Sequence, residues 1–223
     1  MTHPTWPLFD LRLTNTAGAN ADVVLRPMAE ADLATVAAIL PDDLALNPAA
    51  TTYPGLDTAK RRRVVAHQEY WQGWGRWSIA SWVLTFVVEV DGRIVGTQTL
   101  EGEDFPMLRT VDSASWLVPE ARGRGLGKAM RAVVLSLAFG PLEAQCAITS
   151  AWEENLASLG VSRALGYQPN GQYLRRREGG DLVGDVIGSM VHLRLTREDW
   201  LSSAAGDCVT ISGFEACRPY FGV

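Results

Sequence analysis

Trp116-Leu-Val-Pro-Glu-Ala-Arg-Gly-Arg-Gly-Leu-Gly-Lys128 places a glycine-rich, doubly basic turn between a strand and a long amphipathic helix. A helix N-terminus carries unpaired backbone N–H groups and a partial positive charge, so it binds an anion without any dedicated side chain. Gly123, Gly125 and Gly127 remove the Cβ atoms that would hold a pyrophosphate off the backbone, and Arg122, Arg124 and Lys128 add cationic donors. Downstream, Met130, Val133, Val134, Leu137 and Ala138 recur at helical spacing on one face, and Gly140-Pro141 ends the helix. The competing reading is a glycine-rich corner with no ligand.

Two common phosphate turns fail here. A P-loop lacks its first glycine, because position 122 is Arg, and its magnesium-binding hydroxyl, because position 129 is Ala. A dinucleotide fingerprint lacks its last Gly or Ala, because position 130 is Met. What remains is Arg122-x-x-Gly125-x-Gly127, and with it the chain resembles the GNAT superfamily of N-acetyltransferases, in which this turn holds the pyrophosphate of coenzyme A. Asn155-Leu-Ala-Ser-Leu-Gly-Val-Ser-Arg-Ala-Leu-Gly-Tyr167 resembles the second motif helix of that family. Read without the family, Asn155 is a helix N-cap, Ser158 its N3 residue and Gly166 a C′ glycine.

The resemblance runs along nearly the whole chain. Trp6 to Leu13, Leu25 to Leu33 and Phe86 to Gln98 are similar to the RimJ/RimL-like branch of ribosomal-protein N-acetyltransferases, and to its actinobacterial members in particular. It implies an α/β fold of mixed α+β type, a central mixed and splayed sheet flanked by helices. It implies acyl-CoA as co-substrate, acetyl-CoA or a larger donor such as succinyl-CoA, and an amine acceptor. The pantetheine arm would lie along Trp116, Leu117 and Val118. The phosphates would sit on Arg122, Gly123, Arg124, Gly125, Leu126, Gly127 and Lys128, with Asn155 and Ser158 on the facing helix.

The resemblance also suggests chemistry. A backbone N–H near Leu117 or Val118 would serve the carbonyl oxyanion. The tyrosine that protonates sulfur in many relatives is replaced by Ser162, which leaves Ser158 as the acid or as the residue that orders a water. Asp112 stands where this branch often carries a base, and a solvent-facing carboxylate is the competing reading. Glu101, Glu103 and Asp104 read as a solvated acidic loop; the alternative is a patch that binds a cationic acceptor or holds the base. Trp71, Trp74, Trp77 and Tyr70 read as helix packing. Lys60 to Arg63 read as a solvated face, Arg175 to Arg177 as an exposed hairpin, and His67 and His192 as isolated.

Composition sets the outer bounds. With 223 residues and 47% hydrophobic content the chain reads as one domain over 1–223, with 201–223 as a sheet or surface extension. A net charge of −5, from 20 Lys+Arg against 25 Asp+Glu, argues against nucleic acid as main partner. Cys146, Cys208 and Cys217 are odd in number and lack metal-ligand spacing, which points to a reduced cytoplasmic setting and no metal. No leader or membrane span is expected, and the reading admits a homodimer.

The expected strands are Leu8 to Leu13, Val23 to Arg26, Trp82 to Val90, Arg93 to Leu100, Val111 to Val118, one with Ala144, Cys146 and Ile148 on its buried side, Val183 to Leu195, and a short piece from Cys208. Helices are expected over Ala29 to Leu40 and from Asp57 to about Trp71, with loops over Thr14 to Asn20 and Pro41 to Gly55.

Overall fold

Asp91 and Gly92 both adopt positive φ, 51° and 71°, the turn that matches the twist of a two-residue hairpin. It joins β3 (Trp82–Val90) to β4 (Arg93–Gly102) in antiparallel register. The computed structural model describes every residue except 1–2, 4, 17–21, 45–52, 54 and 178–185. Around this hairpin stand β1 (Arg12–Asn15), β2 (Val23–Pro27), β5 (Thr110–Leu117), β6 (Cys146–Trp152), β7 (Gln168–Arg177), β8 (Val186–Thr196) and β9 (Val209–Ser212). They form one mixed sheet in the order β7-β8-β6-β5-β4-β3-β2-β1-β9, in which β5 and β6 are the parallel pair.

Helices cover both faces, and a single short turn of helix, α3 (Phe105–Leu108), joins β4 to β5. On one side α1 (Leu33–Ala38) and α2 (Thr58–Gly75) bury Met28, Leu33, Val36 and Tyr70 against Val87. On the other, α4 (Leu126–Phe139) lies in the main core with Leu84, Phe86, Val88 and Leu100. The apolar stripe expected on α4 is wider than one face: Arg131, Ala132 and Leu135 are buried as well, because α5 (Leu156–Ala164) and α6 (Arg197–Leu201) close over its outer side. Asp57 caps α2 by accepting from the Lys60 amide, and Thr196 caps α6.

Several boundaries move. Pro7–Asp10 form a 3₁₀ turn where a strand was expected, since Pro7 presets a helical φ, and β1 begins only at Arg12. Residues 29–40 break into a 3₁₀ turn at Glu30–Asp32 and α1, because Asp32 turns back to accept from the Ala29 amide and to pair with Arg26. α2 runs on to Gly75. In β6 the buried side is Ala147, Thr149 and Ala151, not Cys146 and Ile148, and Ile148 instead faces the cavity described below. The strand β7 holds Arg175 to Arg177 and pairs antiparallel with β8, with Arg175 half-buried and Arg176 exposed, while the connection between the two strands lies outside the described residues. Most of the Thr14 to Asn20 and Pro41 to Gly55 loops, and the start of the Val183 strand, lie outside the described residues.

The C-terminal piece extends the sheet and then packs on it. β9 pairs with β1 at the edge, and α7 (Phe214–Phe221) buries Phe214, Cys217 and Phe221. Phe221 meets Trp77 and Trp82 edge-on, while Trp74 and Trp77 stack on each other and meet Trp6. Trp74 of α2 and Trp77 just beyond it therefore pack the end of the helix against the N- and C-terminal segments, while Trp71 is 53% exposed. Among the described residues no helix is long and apolar enough to cross a membrane.

Candidate active site

β5 and β6 pair only at Thr110↔Cys146, Val111↔Ala147 and Asp112↔Ile148, although both strands continue further. Beyond Asp112 they part. On its other edge β5 stays paired with β4 from Glu101↔Asp112 to Gly96↔Leu117. The amide of Val118 donates to the Val95 carbonyl at 2.9 Å, so the alternation of an antiparallel ladder turns the Leu117 amide toward the gap. Of the two amides proposed for an oxyanion, Val118 is thus already engaged and Leu117 faces the open side.

At the mouth of the gap the chain passes through a 3₁₀ turn, Pro119–Ala121, into the glycine turn. Gly123 and Gly125 hold φ of +71° and +79°, and a Cβ built on either meets no atom within 4 Å. The backbone N–H groups of Gly123, Arg124, Gly125, Leu126 and Gly127 donate to no other backbone group among the described residues; intramolecular donation resumes with Lys128 and Ala129, both to the Gly125 carbonyl. Successive free amides at a helix N-terminus form a concave donor array that suits a phosphate. Arg124 and Lys128 are exposed beside it. Gly127 has a packing role too, since a Cβ there would stand 3.3 Å from Val161 on α5.

Arg122 is not idle. Its guanidinium grips Asp43 through two hydrogen bonds of 2.5 and 2.9 Å and donates to the Leu117 carbonyl at 2.9 Å. The same residue thus ties the loop before α2 to the turn, a partnership that sequence spacing across 79 positions gave no sign of. Arg62, expected on a solvated face, donates to the carbonyls of Pro41 and Asp42 and holds the same loop.

Across the gap, Asn155 caps α5 by accepting from the Ser158 amide at 3.1 Å. Ser158 is half-buried on the first turn. Ser162 is buried and spends its hydroxyl on the Ser158 carbonyl, so it does not stand in for the missing tyrosine. Tyr167 is buried behind it, and burial pushes its phenol up.

A cavity of about 900 Å³ opens on the α2 side of the same strands. Its floor is Thr97, Thr99 and Glu101 of β4 with Asp112, Ala114 and Trp116 of β5; Glu69 and Tyr70 form its wall and Glu103 its rim. Its size is that of an ordinary small-molecule site. Asp112 faces this cavity and Ser158 is not among its lining, so the two candidate proton carriers stand at different places.

Glu101 corrects the sequence reading. It belongs to β4, not to a solvated loop, and its register partner on the same face is Asp112. Period-two alternation from Thr97 would have put it there. Burial and then the neighbouring Asp112 push its carboxyl up to about 7. Burial also raises Asp112, against the pull of the Ser113 amide, which donates to it at 2.6 Å, and of Arg131. Two like charges this close titrate as a pair.

The raised Glu101 carboxyl carries a stability consequence. Folded Glu101 holds its proton more tightly than the unfolded chain does, so its contribution is fully present below about pH 4.5 and is lost as pH rises through about 7. Glu101→Gln is therefore expected to melt like the wild type near pH 4. Above about pH 8 it should be more stable, by on the order of 3 kcal/mol at most. Equal melting temperatures at both pH values would place Glu101 in full contact with water.

The parallel pair that parts after Asp112, the free amide array at the next helix and the acidic cavity behind it leave room for an extended ligand passing through the sheet. The sequence pattern of the Acetyltransferase (GNAT) domain matches residues 22–168, and the chain belongs to that family of acetyltransferases. It is similar in fold to Mycobacterium smegmatis RimJ in complex with CoA-disulfide, with 24% identity, 97% of each chain covered and a TM-score of 0.66. A ribosomal-protein-S5-alanine acetyltransferase from Vibrio fischeri matches at 16% identity over 80% of this chain and 94% of that one, TM-score 0.59. A spermidine N-acetyltransferase SpeG chimera from Vibrio cholerae and hSSAT matches at 15% identity over 81% and 99%, TM-score 0.59.

Proposed function

We propose that residues 1–223 act as one acyltransferase domain that moves the acetyl group of acetyl-CoA to a primary amine, by direct attack of the amine on the thioester. The amine is that of a peptide N-terminus, a lysine or a small molecule. The observation that carries this is the run of free amides from Gly123 to Gly127 at the mouth of the β5–β6 gap. Gly123 to Lys128 would hold the pyrophosphate, Trp116 to Val118 would flank the pantetheine arm, and Asn155 and Ser158 would border it from α5. Asp43 shares Arg122 with any phosphate bound there.

In the reaction the amine nitrogen forms its bond to the acyl carbon and the carbonyl electrons move to oxygen, toward the Leu117 amide. Return of those electrons breaks the carbon–sulfur bond, and the pair leaves on sulfur. The proton lost by the amine goes to Asp112, directly or through a water, and sulfur is reprotonated from Ser158 or from solvent. A preorganised amide facing the oxyanion is worth about 3 kcal/mol where such donors have been removed elsewhere. The acidic pair and Glu69 favour a cationic acceptor.

The absence of tyrosine at position 162 favours a second reading, an acyl-CoA-binding module without turnover. Calorimetry with CoA and acetyl-CoA, followed by thiol release over a panel of amines, separates the two. Binding without release for any amine would leave the module, and no binding would remove both. Gly125→Val is expected to weaken CoA at least tenfold while a cooperative melt persists. A Cβ at this position meets no atom within 4 Å, and the positive φ costs about 1–2 kcal/mol locally. Unchanged affinity would put the phosphates elsewhere.

A further inference from the structure

Arg131 is 3% exposed, in the middle of an otherwise apolar stretch of α4. Among the described residues it has no carboxylate within ion-pair distance. Its guanidinium reaches across the parting strands: one terminal nitrogen donates to Thr149 Oγ1 of β6 and the other to Ser115 Oγ of β5, each at 3.4 Å, and Nε has no acceptor. The Thr149 hydroxyl passes its own proton to the Ser113 carbonyl at 3.2 Å, so its donor is spent. Ser115 accepts from Arg131, makes no other side-chain hydrogen bond among the described residues, and borders the cavity. The buried Tyr167 hydroxyl stands beside this guanidinium and the Ser113 Oγ, without a well-formed hydrogen bond to either.

A buried cation with no carboxylate in direct contact is costly, Asp112 acting on it only from a distance, and a side chain needed only to fill α4 would be apolar like Ala132 and Val133. The position lies one residue past the last β5–β6 pair, where the gap opens. Negative charge placed in that opening would complete the site.

We propose that Arg131 is a positioning residue for the leaving group: it polarises the Ser115 hydroxyl toward the gap and sets a positive charge behind the sulfur that the acyl group leaves. This rests on the acyl-CoA reading above. The carbon–sulfur bond breaks with its electron pair on sulfur, the Ser115 O–H donates a hydrogen bond to that thiolate while keeping its proton, and solvent or Ser158 supplies the proton afterwards. It answers the lack of a tyrosine at 162, because a stabilised thiolate departs without prior protonation. The titratable groups near this place are Tyr167, beside the guanidinium, Asp112, with Glu101 beside it, on the cavity side, and His192 on β8, paired to Ser150.

The test titrates the thiol of bound CoA by its ultraviolet thiolate absorbance, which needs no turnover. At pH 7.5 the thiolate fraction on the wild type is expected to exceed that of free CoA roughly fivefold to tenfold. Arg131→Met should return it to the free value, Arg131→Lys should keep part of it, and Ser115→Ala, which leaves the buried cation in place, should reduce it. A thiol on the wild type that titrates like free CoA, or an enhancement that survives in both Arg131→Met and Ser115→Ala, overturns the inference. Wild type that binds no CoA at all removes the acyl-CoA reading, and this inference with it.

Discussion

Asp112→Asn is expected to lower kcat/KM by about a hundredfold to ten-thousandfold, the range over which positioned general bases act. Asparagine keeps the oxygen that accepts from the Ser113 amide, so the strand and the cavity floor stay as they are while the basic site is lost. The protein should still bind CoA as the wild type does. The wild-type rate should fall on the acid side as the Glu101–Asp112 pair takes up protons, and both carboxyls are held above their ordinary range by burial. Asp112→Asn should flatten that limb. Glu101→Gln keeps Asp112 but removes the charge that opposes its ionisation, so the limb should move to lower pH with a smaller loss of rate. An Asp112→Asn protein with the wild-type profile would show that the amine gives its proton to water without help from this strand.

The parts of this arrangement that were legible in the sequence are those fixed by local chemistry. Three glycines and three cations before an apolar helix specify a turn whatever surrounds it, and the Asn155–Ser158 cap and Asp91-Gly92 hairpin are equally local. What escaped was long-range. Glu101 looked like part of an acidic loop because Glu103 and Asp104 follow it, and only the pairing of β4 with β5 sets it beside Asp112. Asp43 finds Arg122 through a loop that has no periodicity to read. Arg131 sat inside a helical pattern judged by its hydrophobic positions, and a single charge among them gives no signal until the helix is seen buried all round. The inverted sides of β6 have the same origin: Ile148 is apolar yet faces a cavity, and Thr149 is polar yet buried under α4.

Gly96→Ala should be the most disruptive single methyl group in the chain's active region. Gly96 lies opposite Leu117, and a Cβ there would stand 2.2 Å from the Trp116 carbonyl oxygen and 3.0 Å from the Leu117 Cα. Both are backbone atoms at the end of β5, held by the pairing with β4 and by the Val118 amide's bond to the Val95 carbonyl, so neither can swing aside as a side chain would. Overpacking of this kind costs about 3 kcal/mol or more, a fall in melting temperature of roughly 6–12 °C for a chain of this size. The strand that gives way is the one bordering the gap, so the displaced Leu117 amide should also weaken CoA binding and slow turnover at temperatures where the protein remains folded. Gly160→Ala supplies the contrast: a Cβ there meets nothing within 4 Å inside α5, and the same added methyl should be neutral or stabilise by up to about 1 kcal/mol. If Gly96→Ala melts with the wild type, β4 and β5 are not in the register described, and the Leu117 amide does not face the gap.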